Sequence, residues 1–427
     1  MDFKTLMLQA LDATKDDQID FLQKFVRVPS PNPPGHTATA AAVVIDFLSS
    51  KGIPFQIIEP QPGQPNVVSE FQGNSGPGGP RVVLNGHIDV FPVAEDTRSN
   101  WERDPWSGDI VDNRIHGRGV VDMKSGTASL VIAYAHLYEM RAHLTGSVSL
   151  CVVSDEETGG QWGTKYIIQQ DRNKWGGTVM LSAEPAGCKT IRFSEKGTLR
   201  MTCTVKTKGA HGAYLNLSKG AIRTATSFIA EVIDAVEGMK VEAPQELIDQ
   251  TAKPEVKRLI NETMGQGTSG IILGSTVNVG TIKGGVKVNM IPDTCIFELD
   301  IRMPVGLLRE QVLGLIQQSV IPKYSPAATI EIDVHEAASN PFSYSSPNHP
   351  MVTLLADNAE SFTTIRPLAI PSMGATDCKH YRYAGVPAFV YGCSPATMAS
   401  VNESASISEF LHVTKVHAGA TWDYLNM

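Results

Sequence analysis

Apolar residues recur along this chain with two different periods, and the change between them divides it. Through the first half, short apolar runs such as RVVLNGHIDV (81–90), VSLCVVSDEE (148–157) and GGTVMLSAEP (176–185) predict strands, as do FQIIEP (55–60) and NVVSEF (66–71). Between them, TATAAAVVIDFLSSKG (37–52) has the spacing of a surface helix stopped by Gly52. KSGTASLVIAYAHLYEMRAH (124–143) and GTKYIIQQ (163–170) predict two more helices, and another is expected around residues 5–27. The tract GNSGPGGP (73–80) is a turn, too short to link domains. Strand–helix alternation of this kind predicts an α/β fold, with a mostly parallel sheet and helices on both faces.

Near residue 195 the period changes to two. LRMTCTVKTKG (199–209) alternates as a half-exposed strand does, and a long helix is expected over 219–239. STVNVGTIKGG (275–285) and VNMIPDTCIFELDIRMP (288–304) predict two further strands around a Gly-Gly turn. LLREQVLGLIQQSVIPKY (307–324) predicts a helix and ATIEIDVHEA (328–337) a last strand. The order β-α-β-β-α-β is that of the ferredoxin-like α+β unit. It is placed at residues 196–336, inserted into a domain made of 1–195 and 337–427, because alternation resumes at MVTLLADNAESF (351–362) and VPAFVYG (386–392). The polar stretch 240–268 is left without an element.

Composition sharpens the class without changing it. At 427 residues the chain is too long for one ordinary core. A net charge of −8 argues against nucleic acid or an anionic membrane as the main partner. The amphipathic N-terminus reads as a helix rather than a signal peptide, and no stretch approaches the roughly 20 apolar residues of a membrane span. Six cysteines without CxxC spacing indicate neither a zinc ribbon nor a disulfide framework, so a cytoplasmic protein with reduced thiols is expected.

The chemistry gathers at strand ends. His87 and Asp89 close the 81–90 run, Asp122 lies in GRGVVDMKSG, Glu156 and Glu157 end the 148–157 run, and Glu184 ends the 176–185 run. Open α/β sheets bind ligands at the carboxyl ends of their strands. Singly, each acid is an ordinary turn or strand-end residue; together they form a carboxylate–imidazole set suited to a borderline divalent metal such as zinc. In the adjacent pair Glu156–Glu157, one carboxylate can ligate while the other takes a proton from water. Asp89, two residues beyond His87, can orient its imidazole.

The motifs LNGHIDV, W-x-x-x-P-W-S-G (101–108), IHGRGVVDMKSG (115–126), SDEETGG (154–160) and SAEP (182–185) resemble, in order, those of the M20 metallopeptidases. That family includes acetylornithine deacetylase, succinyl-diaminopimelate desuccinylase, aminoacylase and carboxypeptidase G, and the similarity extends over nearly the whole chain. The resemblance implies a zinc-peptidase-like catalytic domain with a mixed sheet and an inserted lid that dimerises, hence a homodimer. By position it implies that His87, Asp122 and Glu184 hold one zinc, with Asp122 as bridge, and that Glu157 helps hold a second. Glu156 would be the general base and Asp89 the support of His87. His211 in KGAHGAYL would act across a dimer on the oxyanion. Asn289 and Arg302 would grip a substrate carboxylate, and Gly374, Ala375 and Thr376 of GATDCKHYRYAG would line the pocket.

One position departs from the resemblance. The family's last zinc ligand is a His four residues before the Glu of H-x-x-N-E; aligned on Asn402-Glu403, that place is Ala399. His380, and after it His412, are the candidates to stand in. The expected cofactor is therefore zinc, one ion or two, with cobalt or manganese as substitutes. The expected activity is metal-dependent hydrolysis of an amide next to a free carboxylate, in an N-acyl amino acid or small peptide. Two alternatives follow from Ala399: amide-bond formation on the same fold, or a catalytically inactive binding protein. Trp101, Trp106, Tyr214 and Met373 suggest room for an apolar group.

Overall fold

The computed structural model describes residues 2–74, 76 and 78–427, so Ser75 and Pro77 of the expected 73–80 turn lie outside the described residues. The chain forms two compact units. The first runs to residue 193 and takes up 344–370 and 376–427; the second comprises 194–343 with 371–375. The boundaries expected from the sequence, 196 and 336, fall inside the second unit.

Apolar runs of Val, Leu and Ile build the sheet of the first unit. Its strand order begins Gln56–Ile58, Asn66–Gln72, Ser147–Val153, Arg81–His87, Val179–Ser182, Ala388–Val390, Thr190–Glu195. The Arg81–His87 strand lies parallel to both neighbours, and Ala388–Val390 continues parallel to Val179–Ser182. Towards the first edge, however, the pairing is antiparallel, and Val390 meets Arg192 antiparallel on the other side. The sheet is thus mixed, with its parallel part at the centre. Length explains the division: Gln56–Ile58 and Asn66–Gln72 are joined by a short loop, whereas the parallel strands are separated by helical crossovers.

Helices cover the parallel centre. Ser125–Glu139, which follows the Asp122 loop, is buried from Ser125 to Leu137, and the C-terminal helix Ile407–Leu425 packs against it. All seven residues of Ser147–Val153 are buried. The single N-terminal helix expected over 5–27 is two, Phe3–Ala13 and Lys15–Val26, broken at Thr14. There the Thr14 hydroxyl donates to Ala10 O and the buried Gln18 amide to Leu11 O, side-chain bonds that a periodicity does not register. The helix expected over 37–52 is Ala38–Ser50, followed by Gly52 in a left-handed conformation at φ 64°.

The second unit has a four-stranded sheet in the order Thr276–Gly284, Thr294–Met303, Gly197–Lys206, Thr329–Val334. Its three strand pairs are antiparallel, which with the helices at Ala221–Glu237 and Arg309–Leu315 is the ferredoxin-like arrangement. Leu199, Met201, Cys203 and Val205 pack with Phe297, Leu299 and Ile301 beneath Phe228 and Val232. The polar 240–268 stretch is helical, at Gln245–Ala252 and Pro254–Met264, each burying a narrow stripe. Among the described residues, no helix is long and apolar enough to cross a membrane.

Candidate metal centre

Three of the expected ligands converge at the carboxyl end of the central strands. His87, Asp122 and Glu184 each offer one ligand atom, and these atoms lie within 4.8 Å of one another. His87 Nε2 is 3.1 Å from Asp122 Oδ1 and 3.5 Å from Glu184 Oε1. His87 and Glu184 arrive from parallel strands joined through neighbouring registers, and Asp122 from the loop before Ser125–Glu139. Glycine permits the closeness: a Cβ at Gly126 would collide with the Ala183 carbonyl beside Glu184.

The imidazole is set for ligation. Its Nδ1 lies 2.8 Å from the Asp89 backbone carbonyl, which accepts only from an N–H, so the proton of a neutral ring sits there and the Nε2 lone pair faces the two carboxylates. A lone pair opposed to carboxylate oxygens needs a cation between them, either a proton or a metal. Burial alone pushes His87 down; Glu184 and Asp122 outweigh it and raise it well above the usual histidine range.

The acids around it are crowded. Burial, then the repulsion of Asp122, raises Glu157 to about 10, and burial raises Glu156 to about 8 against the opposing pull of Lys379 and His87. Glu184 is raised well above its ordinary value by burial, although His87 pulls it down. Among the described residues, Glu157 Oε1 is buried without a hydrogen-bond partner. A buried surplus of carboxylate charge with an orphaned oxygen fits a divalent cation, whose charge would reverse each of these shifts. The donor set, one imidazole with carboxylates, fits zinc and its neighbours.

Asp89 stays beside the His87 ring, as the sequence leads one to expect, and makes further contacts. Its backbone carbonyl, rather than its carboxylate, makes the short contact to the imidazole; Oδ1 stands 3.4 Å from Nδ1. The carboxylate also accepts from Glu156 N at 3.2 Å, Glu157 N at 3.1 Å and Asn32 Nδ2 at 2.8 Å. It therefore fastens the turn that carries the acidic pair. Neither Asn32 nor Lys379 was singled out from the sequence, and local spacing gave no signal for either. Lys379 is buried, with Nζ 3.7 Å from Glu156 Oε1 and donating to Thr376 O at 3.1 Å.

The two histidines expected to stand in for Ala399 each make another contact in this structure. His380 Nε2 faces the Gly159 carbonyl at 3.0 Å, and burial pushes its ring down to about 4. His412 pairs with the Tyr391 hydroxyl at 2.7 Å. Neither belongs to the three-residue cluster. Ala399 itself adopts a left-handed φ of 57°.

The remaining expected site residues lie in the second unit, apart from Thr376 in the first. His211 is exposed on a two-residue strand, Ala210–His211, that pairs with Met290–Ile291. Its Nδ1 accepts from Ala213 N at 3.2 Å, which leaves Nε2 as the N–H donor. Asn289 is next to that pair, its carbonyl accepting from Gly212 N. Arg302 is ion-paired with Asp300, Nε to Oδ1 at 2.9 Å. Gly374 belongs to the 371–375 stretch of the same unit.

Residues 83–423 match the sequence profile of peptidase family M20/M25/M40. The chain belongs to this family. It is 24% identical over 290 residues, 68% of each chain, to a protein named probable succinyl-diaminopimelate desuccinylase from Staphylococcus epidermidis. The fold is shared with an M20 family metallo-carboxypeptidase from Sulfolobus solfataricus (TM-score 0.74, 20% identity, all of both chains). It is shared too with human carnosine dipeptidase 1 (TM-score 0.73, 16% identity, all of both chains). A Bacillus subtilis dinuclear metal-binding peptidase of the M20 family superposes with a TM-score of 0.66 at 15% identity, over 97% of this chain and 99% of that one. This M20 chain is accordingly a metallohydrolase of the peptidase and deacylase type.

Proposed function

We propose that this M20 hydrolase cleaves an amide bond adjacent to a free carboxylate, in a small N-acyl amino acid or short peptide. The observation that carries the reading is the cluster of His87, Asp122 and Glu184 with a half-buried Glu156 close by, in a chain of this family. The names of its relatives, a desuccinylase and a carboxypeptidase, agree in describing amides that bear a carboxylate on one side. Zinc is the first-choice ion, held by His87, Asp122 and Glu184, with cobalt or manganese able to replace it. A second ion would rest on Glu157 and Asp122 and lack a protein ligand at Ala399. When bound, the ion supplies Lewis acidity to the substrate carbonyl.

The residues then divide the work. Glu156 takes a proton from the attacking water as its oxygen bonds to the carbonyl carbon, and delivers that proton to the amine nitrogen as the C–N bond breaks. The Lys379 ammonium holds Glu156 in place through its charge. Asp89 orients the turn bearing Glu156 and Glu157, and its main chain fixes the His87 tautomer. His211, with Nε2–H free to donate, would support the oxyanion, while Asn289, Arg302, Gly374 and Thr376 would seat the substrate. For Arg302 this requires exchange of its Asp300 partner for the substrate carboxylate.

A homodimer built on the second unit is part of the reading, favoured by the exposed apolar residues Ile282, Val286, Val288, Met290 and Ile296 on its edge hairpin. The six free cysteines favour a reducing, cytoplasmic setting. Ala399 favours one alternative, use of the same site for amide formation. Glu156→Gln is the test. It should lower kcat on an N-acyl amino acid by about 10²–10⁴-fold with metal content unchanged. Undiminished turnover would refute the mechanism; an amide product from acid and amine, without hydrolysis, would favour the alternative.

A further inference from the structure

The segment that lacks the expected ligand is nevertheless tied to the metal cluster by another route. Glu403 is 1% exposed, and both of its carboxylate oxygens are engaged by the loop that ends in Asp122. Oε2 accepts from Arg118 Nη1 at 2.7 Å and from Gly119 N at 3.1 Å. Oε1 accepts from Val121 N at 2.9 Å and from Asp122 N at 3.3 Å. The backbone joins in, with Gly117 N donating to Glu403 O at 2.9 Å.

The loop needs such a partner. Gly119 turns in the left-handed region at φ 75°, and Asp122 and Met123 depart from helical geometry before Ser125–Glu139 begins. Its N–H groups therefore have no ladder to join, and buried N–H groups must be satisfied. Glu403 answers several of them at once. It is itself anchored, because Ser404–Ser406 pairs with Arg114–His116 immediately after it. Arg118, its charged partner, lies over the Trp101 ring at 5.2 Å.

We propose that Glu403 is a positioning residue for the metal centre. Its carboxylate fixes the main chain from Arg118 to Asp122 so that Asp122 Oδ1 faces His87 Nε2. The inference rests on the metal site proposed above. It gives the Asn402-Glu403 segment a task that does not depend on ligation at Ala399.

The test measures Co²⁺ binding to the full chain, by competition with a chromophoric chelator and by the visible absorption of the bound ion. Glu403→Gln places an amide NH₂ among the loop's N–H donors and removes the charge opposite Arg118. It should weaken Co²⁺ binding about 10–100-fold, the range for partners that orient a ligand, and change the visible spectrum. Glu403→Asp, which keeps charge and both acceptors, should bind between that variant and the parent. A purely structural role would lower the Tm of the metal-free chain but leave the affinity and spectrum of the folded protein as in the parent, and that outcome overturns the inference. If Glu403→Gln does not fold, Glu403→Asp decides: parent-like affinity and spectrum overturn the inference, and weakened binding upholds it. A parent chain that takes up no Co²⁺ overturns this inference together with the metal reading beneath it; parental binding with an indifferent Glu403→Gln overturns this inference alone.

Discussion

The two sheets are made by different rules. Ser147–Val153 in the first unit buries every residue, because helices cover both of its faces. Thr294–Met303 in the second buries alternate residues, from Cys295 through Phe297, Leu299 and Ile301 to Met303, and turns Glu298, Asp300 and Arg302 outward. The consequence is functional as well as structural. A strand buried on both faces can expose polar groups only at its ends, and in the first unit the metal-binding set lies there, at His87 and Glu184. A half-exposed strand can carry polar groups anywhere along one face, as the second unit does.

The comparison breaks most sharply at the strand ends. His87→Ala, at the last position of Arg81–His87, should remove a ligand outright and weaken metal binding by more than about 100-fold, beyond the loss of any orienting partner, as competition with a chelator would measure. Metal affinity unchanged by that substitution would remove the distinction between the two sheets. Next in size are core truncations. In the first sheet, adjacent Val83 and Leu84 are both fully buried, so Leu84→Ala should cost about 2–5 kcal/mol and Val83→Ala also a measurable amount by denaturant unfolding. In the second, Phe297→Ala should cost about 3–5 kcal/mol, whereas its neighbour Glu298→Ala should stay within about 0.5 kcal/mol. An equal cost at Phe297 and Glu298 would show that the outer face is covered.

The smallest effect concerns the edge of the first sheet. Burial raises the Glu70 carboxyl, but Lys174 and Arg81, at 2.7 and 2.6 Å, outweigh it and hold it below the usual carboxylate range. Because its folded value is lowered, its stabilisation is present above the unfolded pKa and lost as pH falls through the folded one. Glu70→Gln should therefore cost at most about 1 kcal/mol near neutral pH, and the difference from the parent should vanish in acid. A difference independent of pH would assign the effect to packing.

Much of this was legible in the sequence. The strand-end acids could be listed because a short apolar run ending in His, Asp or Glu is a local signal, and the ferredoxin-like order was visible because period two survives along each strand. The N-terminal segment reads as one helix because its break is a single residue, Thr14 at φ −106° and ψ 22°, which hydrophobic spacing does not encode. The 240–268 helices were missed because each buries only a few residues.

By itself, then, the sequence determined the two periods, the class they imply and the inventory of acids. Tertiary structure alone decided how those acids are used. Asp89 holds the Glu156–Glu157 turn through backbone N–H groups 67 and 68 residues away, His380 is committed to Gly159, and Glu403 reaches across 285 residues to Arg118. The physical reason is that a carboxylate's role depends on which donors surround it. Most of those donors are main-chain N–H groups, joined by the Arg118 guanidinium and the Asn32 amide, and only the folded chain selects them.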